Sequence, residues 1–391
     1  MKSIIALVSL AVFLGVIAEA KAQAEPSRLQ VIKDYDPSKL VPIAINGFTG
    51  EVGATLKFDL EVAGFEVVPQ EKAWFAVAGT NDGQVKGNLR DKTGVYLFNK
   101  VYQGGSIRLQ THALADDVVL TLTGKVGVAQ TKILFRVENT RSGEIYLADY
   151  DGHGSVSVTH DKVLVAAPTW APGNKKIYYT SYQVINRVEN PSILSHDLST
   201  GKREVFARHF GLNTSAAVSG DGRVAMILSK DGSPDVYVTD ASGKSPYRVT
   251  KTREDESSPC WSADGQWLAF VTKVNGRRLL VKTKVGENTL ITIPIAGVIN
   301  PSEPAWSPDG QWIAFTAQMG GFSICVVPAQ GGEAKVLTEG EDPSWAPNSR
   351  TIIFVKRGEN KRHLSLLDVP TGRVKNLPTF ASSSSQPAWA R

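Results

Sequence analysis

Residues 304–315 read PAWSPDGQWIAF, and residues 259–270 read PCWSADGQWLAF. Looser copies stand at 168–179 (PTWAPGNKKIYY), 217–228 (AVSGDGRVAMIL) and 343–354 (PSWAPNSRTIIF), and PAWAR occupies 387–391. Anchored on the Trp, or on Val218 where it is missing, the phrase falls at 170, 218, 261, 306, 345 and 389, at spacings of 48, 43, 45, 39 and 44. A period in the low forties, with turn residues between β-rich runs, is the sequence signature of propeller blades, each of about four strands.

The chemistry of one unit agrees. Asp309-Gly310 and Asp264-Gly265 are tight-turn pairs: Asp bonds its own backbone and Gly takes positive φ without strain. The QWIAFT that follows is aromatic and β-branched, as a strand should be. Residues 322–328 (FSICVVP) give a third strand and, after the turn at 330–332, residues 334–338 (AKVLT) a fourth. The recurring Trp is read as packing between neighbouring blades, and the Asp-Gly pairs as structural turns rather than calcium ligands. Five units are complete, and the sixth starts at Pro387 with only its first strand. Residues 132–138 (KILFRVE), 144–150 (EIYLADY) and 155–159 (SVSVT) offer the missing strands upstream. The expected fold is therefore a six-bladed all-β propeller over 131–391, closed by pairing of the C-terminal strand with the first blade, which removes open sheet edges.

Lys2, an apolar run over 4–18 and small-residue pairs at 18–24 read as a secretory signal peptide over 1–22, too short for a membrane span. No Cys precedes Cys260, so no lipidation site is expected there. Residues 25–130 read as a small α/β domain: strand 41–45, helix 53–63 stopped at Gly64, strands 65–69, 74–78 and 96–102, and a helix over 106–123. With 21% charged and 42% hydrophobic residues both parts can bury a core. A formal charge of +5 without a long basic run excludes nucleic acid as the expected partner. Cys260 and Cys325 are read as free thiols.

Taken in order, these features resemble the TolB family of periplasmic propeller proteins. The likeness covers almost the whole chain, and its more specific part is the junction, residues 112–140 (HALADDVVLTLTGKVGVAQTKILFRVENT) followed by LADYDG at 147–152. Departures are Val218 and Gly220 in place of Trp and Pro, and Asn348-Ser349 in place of Asp-Gly. The resemblance implies a non-catalytic, monomeric periplasmic protein of the Tol–Pal envelope system. Its funnel would bind a Pal-like peptidoglycan-associated lipoprotein and its N-terminal region a TolA-like inner-membrane protein, in support of outer-membrane integrity and cell division.

The loops before each repeat, residues 164–167, 211–216, 254–258, 300–303, 339–342 and 382–386, are expected to line that funnel, because loops carry recognition where strands carry stability. Asn213, Ser257, Glu303, Asp342 and Ser385 are the candidate partner-binding residues, with His209 beside them. His112 and Asp116 are read as packing and capping groups at the domain junction. No cofactor and no metal is expected. Gly243-Lys244-Ser245 lacks the upstream Gly of a phosphate loop, Gly152-His153-Gly154-Ser155 fails the spacing of a nucleophile elbow, and no HExxH occurs. Two alternatives stay open: a glycan- or peptidoglycan-binding propeller, and an accessory propeller related to secreted prolyl-peptidase-like hydrolases, whose α/β-hydrolase domain has no counterpart here.

Overall fold

The computed structural model describes residues 35–138, 142–184, 190–287, 289–378, 380 and 382–391. The expected signal peptide lies outside the described residues. From Val41 the chain builds a five-stranded mixed sheet with β1 (Val41–Asn46), α1 (Gly50–Val62), β2 (Phe65–Val67), β3 (Phe75–Thr80), β4 (Val85–Asp91), β5 (Tyr96–Tyr102) and α2 (Ile107–Thr123). The strand order is β2-β1-β3-β4-β5.

The two helices pack together and bury Leu56, Leu60, Leu114 and Val118 against Ile43, Val77 and Leu89. Ser106 caps α2 by accepting the Leu109 N–H at 3.1 Å, and Gly124 ends it in the left-handed conformation. Strand β4 was absent from the sequence reading, because VKGNLRD carries little apolar signal. Its Gly87 is required by packing: a Cβ there would sit 2.7 Å from a methyl of Leu114.

Six four-stranded sheets follow, arranged as blades. Their innermost strands are Val165–Trp170, Asn213–Val218, Glu256–Trp261, Pro301–Trp306, Glu341–Trp345 and Ser384–Trp389. The last of these pairs with β6 (Lys132–Glu138), which continues through β7 (Gly143–Asp149) to β8 (Val156–Ser157). The ring thus closes as the repeat count requires. We refer to each blade by its Trp or Val mark and to the Trp389 blade as the closing blade.

The recurring Trp does pack between blades. Trp170, Trp261 and Trp345 donate their indole N–H to Ala388, Ala217 and Ala305 of the preceding blade, each at 3.0 Å. Trp389 donates to Thr131 at 2.7 Å, and Trp306 turns to Gly310 of its own turn. Tyr179, Phe270, Phe315 and Phe354, which recur one strand later, are fully buried. Each such ring contributes roughly 2–3 kcal/mol by leaving water.

The N-terminal domain sits at the end of the channel where the Asp-Gly turns lie, beneath the Trp345 and closing blades. One hydrophobic cluster runs through both parts, joining Leu56 and Leu122 to Phe135, Tyr150, Ile353 and Trp389. Arg350 pairs with Asp368 and reaches the hydroxyl of Tyr35 and the carbonyl of Pro37, while Lys375 pairs with Glu61. Cys260 and Cys325 are free thiols, pushed by burial up to about 12 and about 11. Among the described residues no helix is long and apolar enough to cross a membrane.

Candidate functional site

Every innermost strand starts at the end of the channel opposite the N-terminal domain, so the loops entering those strands and the hairpins after each second strand form one mouth. Each innermost strand also carries a register shift, as between Ser302 and Ala305 or between Glu341 and Ser344. At the shift stands a non-Gly residue with positive φ: Ala167, Ser215, Ser258, Glu303, Asp342 and Gln386, all between 49° and 55°. Five of the six precede Pro. Proline has no N–H, so the bulge strands no donor, but the left-handed residue before it is costly and is held only by the surrounding sheet.

These six bulges make a collar inside the propeller, and they line a channel cavity of about 660 Å³ that all six innermost strands share. Part of the collar is closed by side chains reaching to the next blade. Glu303 accepts the Asp342 N–H at 3.1 Å, Asp342 accepts the Gln386 N–H at 3.1 Å, and Gln386 accepts the Ala167 N–H at 2.9 Å. Glu303 also takes the Thr316 hydroxyl at 2.7 Å. Burial, and then the neighbouring Glu303 carboxylate, push the Asp342 carboxyl well above the usual range. Asp342 therefore holds a proton more readily than an exposed carboxylate would.

Of the candidates named from the sequence, Glu303 and Asp342 are brought together in the channel wall. Ser257 is exposed at the mouth on the Trp261 blade. Asn213, at 0% exposure, is turned inward: it accepts the His209 N–H at 2.7 Å and donates to the carbonyls of His209 and Gly211, so it holds the loop. His209 is half-buried in that loop, and burial followed by Lys230 lowers its pKa. Ser385 is also buried and donates to Glu138 at 2.9 Å.

The other collar residues, Ala167, Ser215, Ser258 and Gln386, lie in the loops expected to line the funnel but were not singled out, although for Ala167, Ser258 and Gln386 the recurring place before Pro was a signal. Of the apolar side chains exposed at the mouth, Leu164 lies in one of those loops, whereas Tyr182, Phe210 and Ile299 lie outside them and were missed. These lie singly in polar loops, where no periodic pattern marks them.

A second cluster of titratable groups lies under the closing blade. Asp59 of α1 accepts from Tyr150 at 2.6 Å and lies 2.8 Å from Nδ1 of His112 on α2. Arg108 pairs with Asp151 and with Glu51, the latter at 2.9 Å. Burial opposes the charge on His112, but Asp59 and Asp151 together hold its pKa above the ordinary value. Asp59, His112 and Asp151 offer ligand atoms within 4.8 Å of one another, as a cation site would. The Arg108 guanidinium on Asp151 and the Tyr150 hydroxyl on Asp59 make the set an ion-pair and hydrogen-bond network joining the domains. Asp116 caps the chain beyond α2 by accepting the Ala129 N–H at 2.9 Å.

Comparison with known proteins agrees with this geometry. The family described as the TolB beta propeller domain matches residues 119–391. The "Protein TolB homolog" of Chlorobium chlorochromatii is 31% identical over 195 residues, covering 49% of this chain and 42% of that protein. The "Tol-Pal system protein TolB" of Alcanivorax borkumensis is 30% identical over 232 residues, covering 49% of this chain and 53% of that protein. The chain thus spans about half the length of the curated relatives it matches. The crystal structure of TolB from Acinetobacter baumannii superposes with a TM-score of 0.81 at 24% identity, over 90% of this chain and 97% of that one, which shows a shared fold.

Proposed function

The chain belongs to the TolB β-propeller family, and from that premise we propose that it is a non-catalytic, protein-binding component of a Tol–Pal envelope system. In this reading the chain is exported to the periplasm and divided into an N-terminal domain over 25–130 and a propeller over 131–391. The mouth of the propeller receives a Pal-like peptidoglycan-associated lipoprotein. The N-terminal region engages a TolA-like inner-membrane protein, and the assembly supports outer-membrane integrity and cell division.

The observation that carries the reading is the mouth itself. Six rigid blades hold loops around one channel, and Phe210, at 84% exposure, stands among them with Leu164, Tyr182 and Ile299. Exposed apolar side chains set in a polar rim are what a protein partner buries. The buried titratable cluster, by contrast, sits beneath the closing blade, closed by its own ion pairs, which supports binding rather than chemistry as the use of this fold.

The test is capture of envelope proteins from detergent-solubilised membranes by the mature chain and by a Phe210→Ala/Ser257→Arg variant, both changes being at exposed positions. Recovery of a lipoprotein with a peptidoglycan-binding domain, lost in the variant, is the expected result. No lipoprotein with either protein would remove the reading. Tyr182 and Phe210 are also rings on which a sugar could stack, so purified peptidoglycan is assayed in parallel; binding to it alone would favour the glycan alternative.

A further inference from the structure

The charges at the mouth are unevenly neutralised. On the Trp345 and closing blades the arginines are paired: Arg357 with Glu341 at 2.6 Å, Arg362 with Glu341 at 3.3 Å and Glu138 at 3.2 Å, and Arg136 with Glu138 at 3.5 Å. The Trp261 blade differs. Lys251 and Arg253 stand in the loop entering its innermost strand; Lys273 stands near the end of its second strand (Trp267–Val274), and Arg277 and Arg278 open its third (Arg277–Lys284) across the hairpin turn. All five are exposed, and among the described residues none lies within ion-pair distance of a carboxylate.

The local structure holds these cations together and keeps its own carboxylates from them. Lys273 and Arg278 are direct partners across the antiparallel ladder, where like charges are destabilising. The Lys273 N–H donates to the Asp255 carbonyl at 3.2 Å and so ties the hairpin to the loop that carries Lys251 and Arg253. Glu256 beside them is buried and already accepts from Thr250, Thr252 and Thr272 at 3.1, 2.8 and 3.0 Å. Asp235 is buried too, and engaged by Arg248 and Thr250. Glu254 and Asp255 stand in the same loop, and among the described residues neither is paired with any of the five cations, so the repulsion is left for something else to relieve.

We infer that the rim of the Trp261 blade binds an acidic peptide segment of a protein partner, whose carboxylates neutralise Lys251, Arg253, Lys273, Arg277 and Arg278. The inference rests on the reading of the mouth as a protein-docking site and adds the chemistry of the segment docked there. A peptide fits better than an anionic membrane for two reasons. The cations occupy one sector of a concave mouth, whereas a bilayer would lie across the whole face and meet the neutralised sector of Glu341 and Glu138. The basic sector is also flanked by exposed apolar side chains from both neighbouring blades, Phe210 and Ile299, which suit a peptide with apolar residues beside its acidic run.

The test uses the mature full chain with a fluorescent oligoglutamate peptide flanked by leucines, the matching oligolysine peptide, and phosphatidylglycerol vesicles. The wild type should bind the glutamate peptide alone, and more weakly as salt rises. A Lys273→Glu/Arg278→Glu variant should bind it at least about tenfold more weakly at low salt, with the gap narrowing at high salt. A Lys251→Ser/Arg253→Ser variant should fall between, and equal thermal midpoints establish that all three are folded. Equal affinity of wild type and charge-reversed variant, or no binding of the glutamate peptide, overturns the inference. Variant-sensitive binding to vesicles without peptide binding overturns it in favour of a lipid surface. If lipoprotein capture is undiminished in the charge-reversed variant, the acidic-segment inference fails while the mouth remains a docking site. If the wild type captures no lipoprotein, the docking reading itself fails.

Discussion

The junction beneath the closing blade and the mouth above the Trp261 blade are made of the same kinds of residue put to opposite use. At the junction His112, Asp59, Asp151 and Tyr150 are buried, Arg108 is half-buried, and they answer one another at hydrogen-bond distance. At the mouth five cations stand in water, two of them directly opposed across a ladder. A buried charge left alone would cost several kcal/mol, so the junction has to be complete before the domains can meet. An exposed charge costs little in water, so the mouth can leave its cations available. The same side chains hold the architecture in one place and remain free for a partner in the other.

The largest break in that contrast should come from the junction. Asp59→Ala leaves His112 and Tyr150 facing a buried gap, and it is expected to lower unfolding stability by about 3–5 kcal/mol in urea titration. A loss below about 1 kcal/mol would mean that the network is dispensable and the two regions are alike. The same junction should sense pH. His112 has its pKa raised in the fold, so its contribution is fully present below the unfolded value of about 6.5 and is lost as pH rises through the folded value. Burial raises Asp59 as well, which acts in the same direction because ionising it in the fold is disfavoured. Thermal midpoints of wild type and His112→Gln should therefore differ more at pH 5.5 than at pH 8.5. A difference that grows with pH would reverse the assignment.

The smallest effect, and the one that sharpens the comparison most, is expected at the mouth. Lys273→Glu replaces a like-charge pair with an opposite pair opposite Arg278, and it should raise stability by about 0.2–1 kcal/mol even as it weakens binding of an acidic segment. A destabilised variant would show that Lys273 is structural.

How far the sequence disclosed these regions depends on how local their causes are. Asp-Gly turns, a Trp every forty-odd residues and an isolated PAW at the end are local signals, and they specify blades, blade count and closure. Ser106 and Gly124 likewise bracket α2 because caps act within one turn. Strand β4 escaped notice because Gly87 is there to admit Leu114 from a helix more than twenty residues on.

The candidate site was less legible for the same reason. Glu303 and Asp342 were singled out as loop acids, but the collar that joins them arises from bulges whose left-handed residues are held by neighbouring sheets. Asn213 looked like a rim group from its polarity, yet its amide is fully engaged by its own loop. The cations from Lys251 to Arg278 form no run in the sequence; a hairpin and one backbone hydrogen bond bring them side by side.

The most direct measurement is amide hydrogen exchange on the mature chain, alone and with a purified peptidoglycan-binding lipoprotein from the same envelope. Slowed exchange in residues 208–212, 251–258 and 273–278, with α1 and α2 unchanged, is the expected result. Protection confined to α1 and α2, or none anywhere at saturating lipoprotein, would contradict a partner-binding function centred on the mouth.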